Sequence, residues 1–210
     1  MIRPVIIIGG GGHANVLISL LRRQQQALLG IVDSNPALAG TTLYGLPVLG
    51  TDSAVLTHAP NAIHLVNAIG GSCALRSKVD EGFSERGYQF LTLVDPSAFV
   101  ADETVMASGC QILAGAVVQP GARIGAGAII NTRAVIDHDC LVGDHAHIAP
   151  GAVLTGNVTV GPRAFVGAGA AIRPGIRIGA DAIVGLGAAV VADVAAGTTV
   201  MGVPARERRE

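Results

Sequence analysis

Counting in sixes from residue 100 to residue 190 meets an apolar side chain at all sixteen stops, among them Val100, Met106, Ile112, Ile136, Leu154 and Val190. A second column, four residues after each of these, is Ala at ten of sixteen positions and includes Cys110, Cys140 and Val194. An α-helix repeats at 3.6 residues and a strand at 2, so a strict period of six fits neither alone. It fits a two-residue strand followed by a corner, the hexapeptide repeat of a parallel β-helix. Three hexads, 18 residues, then make one coil of a triangular prism, and sixteen hexads stack into about five coils ~4.8 Å apart. Large aliphatics and small residues must point inward, because the prism is too narrow for rings. Five of the six aromatics accordingly precede residue 100, and Phe165 falls outside both inward columns.

The column five after each inward aliphatic points outward, and a step of 18 sorts it into three faces. One face carries Val117, Val135, Val153, Ala171 and Ala189; the second carries Gln111, Ile129, His147, Phe165 and Ile183. The third, with Val105, Arg123, Leu141, Thr159, Arg177 and Ala195, reads as solvated. Two apolar faces on one prism predict self-association, and a closed homotrimer satisfies both.

The first ninety residues follow another rule. "VIIIGG" is an apolar strand running into a glycine turn, and a helical stretch follows from His13 to about Arg23. "LLGIVDSN" and "AIHLVNAIG" are further strands, a helix is expected near residues 72–86, and "QFLTLVD" reads as a last strand. Alternating strands and helices predict a small Rossmann-like parallel α/β sheet. We therefore expect an α/β domain over residues 1–95 and an all-β parallel β-helix with a C-terminal tail over residues 96–210.

Gly9, Gly10, Gly11, Gly12 and His13 sit between the first strand and its helix. Glycines there admit a phosphate close to backbone, and the helix N-terminus favours an anion. An imidazole adds a cation at the dipole's positive end, so His13 is expected to face a ligand rather than fill a turn. Asp33, about 20 residues on, stands where an acid commonly meets a ribose hydroxyl. As G-x-G-x-x-A the same residues would also suit a dinucleotide, which opens the alternative of an NAD-dependent oxidoreductase. His58 and His64 have no such context and read as ordinary residues.

"NTRAVIDHDCLVGDHAHIAPG", residues 131–151, concentrates three of the six histidines and three aspartates in an otherwise aliphatic region. His138 lies two residues after inward Ile136, hence on a corner, flanked by Asp137 and Asp139; either could fix its tautomer and raise its basicity. Gly156 is 18 residues later, on the same corner one coil up, with an amide suited to an oxyanion. His147 is nine residues from His138, half a coil, so within one prism the two face apart and could meet only across a subunit boundary. His145 falls on a different corner and is expected at the surface. Cys140 points inward, so no nucleophile flanks His138 and direct transfer is preferred.

The net charge of −1 advertises neither nucleic acid nor an acidic membrane as partner. Cys73, Cys110 and Cys140 lack metal or redox spacing and read as buried thiols of a reducing cytosol. No run approaches the roughly 20 apolar residues of a membrane span, and no signal region precedes Gly9, so a cytoplasmic protein is expected.

"GGGGHANVL", "NTRAVIDHDC", "HIAPGAVLTGN" and "MGVPAR" together resemble bacterial sugar-nucleotide acetyltransferases of the hexapeptide class, including those of bacillosamine-type 4-amino sugars and sialic-acid O-acetyltransferase-like proteins. The resemblance implies that the helix is left-handed. It places a sugar nucleotide, expected to be UDP-linked, on the α/β domain at Gly9, Gly11, Gly12, His13, Asp33, Asn67 and Gly70, with Asn131 contributing. It makes His138 the catalytic base and Asp139 its carboxylate, where Glu is commoner. It puts His147 and Gly156 at the thioester. Acetyl-CoA is implied as co-substrate along the groove between subunits, near Ala168, Gly185, Leu186, Gly202 and Pro204, with no metal. The expected reaction is N-acetylation of a 4-amino group; O-acetylation of a sialic-acid-like sugar and a non-catalytic trimeric scaffold are the alternatives.

Overall fold

The computed structural model describes residues 3–208 and divides into two compact units, 1–91 and 92–210. The division falls four residues before the expected boundary, for a simple reason. "QFLTLVD" is not one strand: Phe90 bridges Leu65 of the first unit, whereas Leu93–Val94 pairs with Gln111–Ile112 of the second.

In the first unit, β1 (Val5–Ile8), α1 (Gly12–Arg23), β2 (Leu28–Val32), β3 (Thr42–Leu43), β4 (Leu46–Gly50), β5 (His64–Asn67) and α2 (Cys73–Ser84) follow in chain order. The sheet order is β3-β4-β2-β1-β5, parallel except for the β3–β4 hairpin. β1 is buried throughout as Val-Ile-Ile-Ile, the unbroken apolar run that a central parallel strand requires. Its parallel neighbours bring Gly9, Asp33 and Asn67 to one edge, at the strands' C-terminal ends, where open α/β sheets bind ligands. The β3–β4 hairpin escaped the sequence pattern because its strands are short and carry Pro47 and Gly50.

The second unit is the left-handed β-helix. Its two-residue strands stack into three parallel sheets with an 18-residue register, as in Val117↔Val135↔Val153 and Ile129↔His147↔Phe165. From Ile112 to Val190 no member of the six-residue series is more than 3 % exposed. At the start, Val100 is half-buried and Met106 38 % exposed. The last coil contracts by two residues: Ile178 pairs with Val194 and Ile183 with Thr199, a step of 16. Asp193 Oδ1 accepts the Arg177 amide at 2.8 Å there, and Ala195 drops out of the third face.

Each corner demands a left-handed backbone at one position, every sixth residue from 109 to 187. Glycine occupies eight of these; Arg133, Asp139, His145, Asn157, Arg163 and Asp181 occupy the others at φ between 55° and 61°. A side chain in this region is strained by about 1 kcal/mol or more. Three consecutive non-glycine corners, 133, 139 and 145, surround His138.

The third face is solvated as expected at Arg123, Leu141 and Arg177. The second corrects the expectation of a wholly unburied apolar face. Gln111, Ile129 and His147 are already buried within the chain at 2 %, 0 % and 6 % exposure, so they add little apolar area to a subunit interface. Phe165 and Ile183 remain accessible, as do the half-buried Val117, Val135 and Val153. Among the described residues no helix is long and apolar enough to cross a membrane.

Candidate active site

His138 is held by its neighbours on the corner. Asp139, at φ +58°, turns its carboxylate back so that Oδ2 lies 2.9 Å from His138 Nδ1. Asp137 is occupied differently, its Oδ1 accepting the His138 backbone amide at 2.8 Å. Asp139 is therefore the orienting carboxylate. It accepts a hydrogen bond from Nδ1–H and leaves the Nε2 lone pair as the basic site. This hydrogen bond, with smaller attraction from Asp137 and Asp139, holds the imidazole pKa above the ordinary histidine value. Both side chains are more than half exposed, so the pair is accessible.

The 18-residue register puts a glycine against each member. A Cβ built at Gly156 would overlap Nε2 and Cε1 of His138, and one at Gly121 would overlap Oδ1 of Asp139. The backbone locks the same corner: Asn157 N–H donates to His138 O at 2.9 Å and Asp139 N–H to Pro120 O at 3.1 Å. Cys140 is no nucleophile. Its buried thiol donates to Thr155 O at 3.2 Å, and burial raises its pKa. Cys73 and Cys110 are likewise buried thiols outside any disulfide, and burial pushes Cys110 up to about 11.

His147 lies on the sheet opposite the His138 corner, which joins the other two sheets. Its Nε2 is 3.0 Å from Asn131 Nδ2, and its ring meets Phe165 edge-on at 5.2 Å. Thr132 N–H donates to Asn131 Oδ1 at 2.7 Å, which fixes the amide's orientation. Nε2 is then an acceptor, and a neutral His147 can donate only from Nδ1. Phe165, 18 residues from His147, is the next member of the same face, as the sequence register places it. His145 corrects a second expectation: it is buried at 9 % exposure, not a surface residue.

In the α/β unit, Gly9 adopts φ +93°, and Gly10 N–H donates to Asp33 Oδ2 at 2.7 Å. Asp33 Oδ1 accepts the Asn35 amide at 2.9 Å, so the acid braces the glycine turn and its own loop. Space is open around Gly11 and Gly12. Helix α1 starts there with no side-chain cap and no acid in its first turn. Gly70 packs on His13, whose Cβ and Cγ would lie 3.2 and 3.3 Å from an added Cβ. Asn67, expected at the sugar nucleotide, is not on the surface. It is 3 % exposed, with Nδ2 donating to Asp80 Oδ1 at 2.7 Å and Oδ1 accepting from Ile69 N–H at 2.9 Å. It shapes the loop from beneath.

Of the positions expected at the donor, Leu186 is 76 % exposed, Gly202 and Pro204 are exposed, and Ala168 and Gly185 half-buried. Among the described residues no three His, Cys, Asp or Glu side chains converge as a metal site.

Residues 4–83 match the PglD N-terminal domain, and residues 122–156 match the bacterial transferase hexapeptide (six repeats) model. A GDP-perosamine N-acetyltransferase of Escherichia coli O157:H7 is 32 % identical over 148 residues, 69 % of this chain and 66 % of that relative. Perosamine N-acetyltransferase from Caulobacter crescentus, solved as a histidine-to-asparagine variant with CoA and GDP-perosamine, is 39 % identical with a TM-score of 0.94. The match covers 100 % of this chain and 99 % of that one. The acetyltransferase domain of PglB from Neisseria gonorrhoeae FA1090, in complex with acetyl coenzyme A, is 33 % identical with a TM-score of 0.91, over 98 % and 99 % of the two chains. With whole-length likeness at this identity, and the same two domain types in the same order, the chain belongs to the sugar-nucleotide acetyltransferases of the left-handed β-helix hexapeptide family.

Proposed function

We propose that the chain transfers the acetyl group of acetyl-CoA to the 4-amino group of a nucleotide-linked deoxy-amino sugar, with His138 as general base. Membership of the family supplies the reaction class, acetyl-CoA-dependent sugar N-acetylation, and leaves the oxidoreductase and scaffold readings without support. The observation that carries the mechanism is the His138–Asp139 pair with Gly156 against the imidazole. As the amine nitrogen bonds to the thioester carbonyl carbon, Nε2 of His138 takes its proton. When the tetrahedral adduct collapses, the C–S bond breaks and the proton can pass to the CoA sulfur. The Gly156 amide and His147 Nδ1–H are assigned to the oxyanion.

His138 and His147 lie on opposite sides of one prism, so we assign them to one active site drawn from two subunits of a homotrimer. The open space around Gly11 and Gly12 at the start of α1 suits the acceptor's phosphates, beside Gly9, His13, Asp33 and Gly70. The donor is assigned to Ala168, Gly185, Leu186, Gly202 and Pro204. A guanosine-linked sugar is favoured over a uridine-linked one, because relatives bound to GDP-perosamine are 39–40 % identical across the whole chain.

A panel of GDP-, UDP- and dTDP-linked 4-amino sugars, assayed with acetyl-CoA against hydroxyl-bearing counterparts, tests this. Acetylation confined to hydroxyl acceptors would overturn the amine assignment. Mixing His138→Ala with His147→Ala subunits after verified exchange should restore activity at roughly a quarter of boundaries. No recovery from two inactive parents would place the site within one chain.

A further inference from the structure

Beneath the loop of residues 68–71 lies a buried polar group for which the proposed mechanism has no use. Arg76 on α2 is 0 % exposed, and a guanidinium out of water is costly unless its hydrogen bonds are well met. Its Nη1 donates to the Ile69 carbonyl at 3.0 Å, and its Nη2 lies 3.6 Å from Cys73 Sγ. Asn67 grips the same residue from the other side, accepting the Ile69 amide. Asn67 is itself tied to Asp80 and, at 3.2 Å, to the Arg76 carbonyl. Both polar ends of one peptide residue are thus held by buried side chains. The next residue is Gly70, which lies flat against His13.

We infer that Arg76 is a positioning residue for the acceptor site: by holding the Ile69 carbonyl it presses Gly70 against His13 and sets the imidazole at the α1 N-terminus. The inference rests on the proposed function, in that His13 must face the acceptor. A Met at position 76 would fill much of the volume but could not donate to Ile69. A purely structural arginine would, when lost, impair both substrates alike, whatever the change in stability. A positioning arginine would act on the acceptor alone and only while His13 is present.

The test measures KM for GDP-perosamine and for acetyl-CoA in the full-length protein, with melting temperature alongside. Arg76→Met is expected to raise the GDP-perosamine KM by about tenfold, as loss of a supporting contact commonly does, and to leave the acetyl-CoA KM within about twofold. In a His13→Ala background it should add little further. Equal loss toward both substrates, or an undiminished effect without His13, overturns the inference. Should Arg76→Met fail to fold, Gly70→Ala replaces it. Its added methyl presses on the same imidazole, so the acceptor KM should rise several-fold; an unchanged value overturns the inference. If His13→Ala itself leaves the GDP-perosamine KM unaltered, the assignment of the acceptor loop fails and this inference falls with it. If His13→Ala is impaired while Arg76→Met and Gly70→Ala are not, only the role of Arg76 falls.

Discussion

The prism corner at His138 and the loop at Gly70 hold the side chains proposed for function by opposite means. On the corner the chemistry is outside: His138 and Asp139 are more than half exposed, over an interior of Ile, Val and Ala. Their positions come from backbone, since Asn157 and Pro120 pin residues 138 and 139 through main-chain bonds between coils. In the α/β unit the loop's backbone is pinned by buried side chains, Asn67 and Arg76, and the network that does so is out of reach of solvent. A stacked backbone is rigid without help from particular residues. A loop of an open sheet borrows rigidity from a few polar groups at the cost of desolvating them. Chemistry and stability should therefore separate on the corner and be coupled in the loop.

The largest expected effect is at the base. His138→Ala should lower kcat/KM by about 10²–10⁴ while leaving the melting curve almost unchanged, since the ring is exposed. Steady-state kinetics with a melting curve decides it. A comparable loss of stability would break the contrast drawn above, and unchanged kinetics would remove His138 from the mechanism.

Next is Gly156→Ala. Its methyl would overlap Nε2 and Cε1, and displacing the base by about 1 Å can cost on the order of 10²-fold in rate. The loss should fall on kcat, with binding of acetyl-CoA retained in calorimetry. A variant of full activity would show that the imidazole can swing clear and that the corner is less rigid than its hydrogen bonds imply.

Asp139→Asn should cost less than loss of the base, and it carries a pH signature. The bond to Asp139 raises the His138 pKa, so more alkaline solution is needed to free Nε2 than for an ordinary histidine. Without the carboxylate the pKa falls, and the acidic limb of the kcat/KM profile should move to lower pH even as the plateau drops. A limb that stays in place, or moves to higher pH, would mean that Asp137 or another group sets the titration.

Much of this was legible in the linear chain because stacking converts sequence distance into space. Eighteen residues is one coil, so Gly156 beside His138 and the opposition of His138 and His147 follow from counting. The same arithmetic stacks Phe165 on His147. In α2 the buried residues Cys73, Arg76, Ser77, Asp80 and Phe83 fall at helical spacing, so Arg76 and Asp80 stood on the core-facing stripe. Charged residues there read as solvated by default, and no linear rule says which loop such a buried charge will grip.

By itself the sequence determined the prism, its inward columns, the corner that bears His138 and the glycine turn before α1, because each depends on a period or on a local backbone need. The tertiary structure decided which aspartate orients His138. Asp137 and Asp139 are equivalent in composition and distance along the chain, and only the left-handed backbone at 139 turns its carboxylate back to Nδ1. It also decided that Asn67 lies beneath its loop, that His145 is buried, and that half of one apolar face is already covered. Burial depends on what the chain brings across from far away, and a residue's own neighbours in sequence do not contain that information.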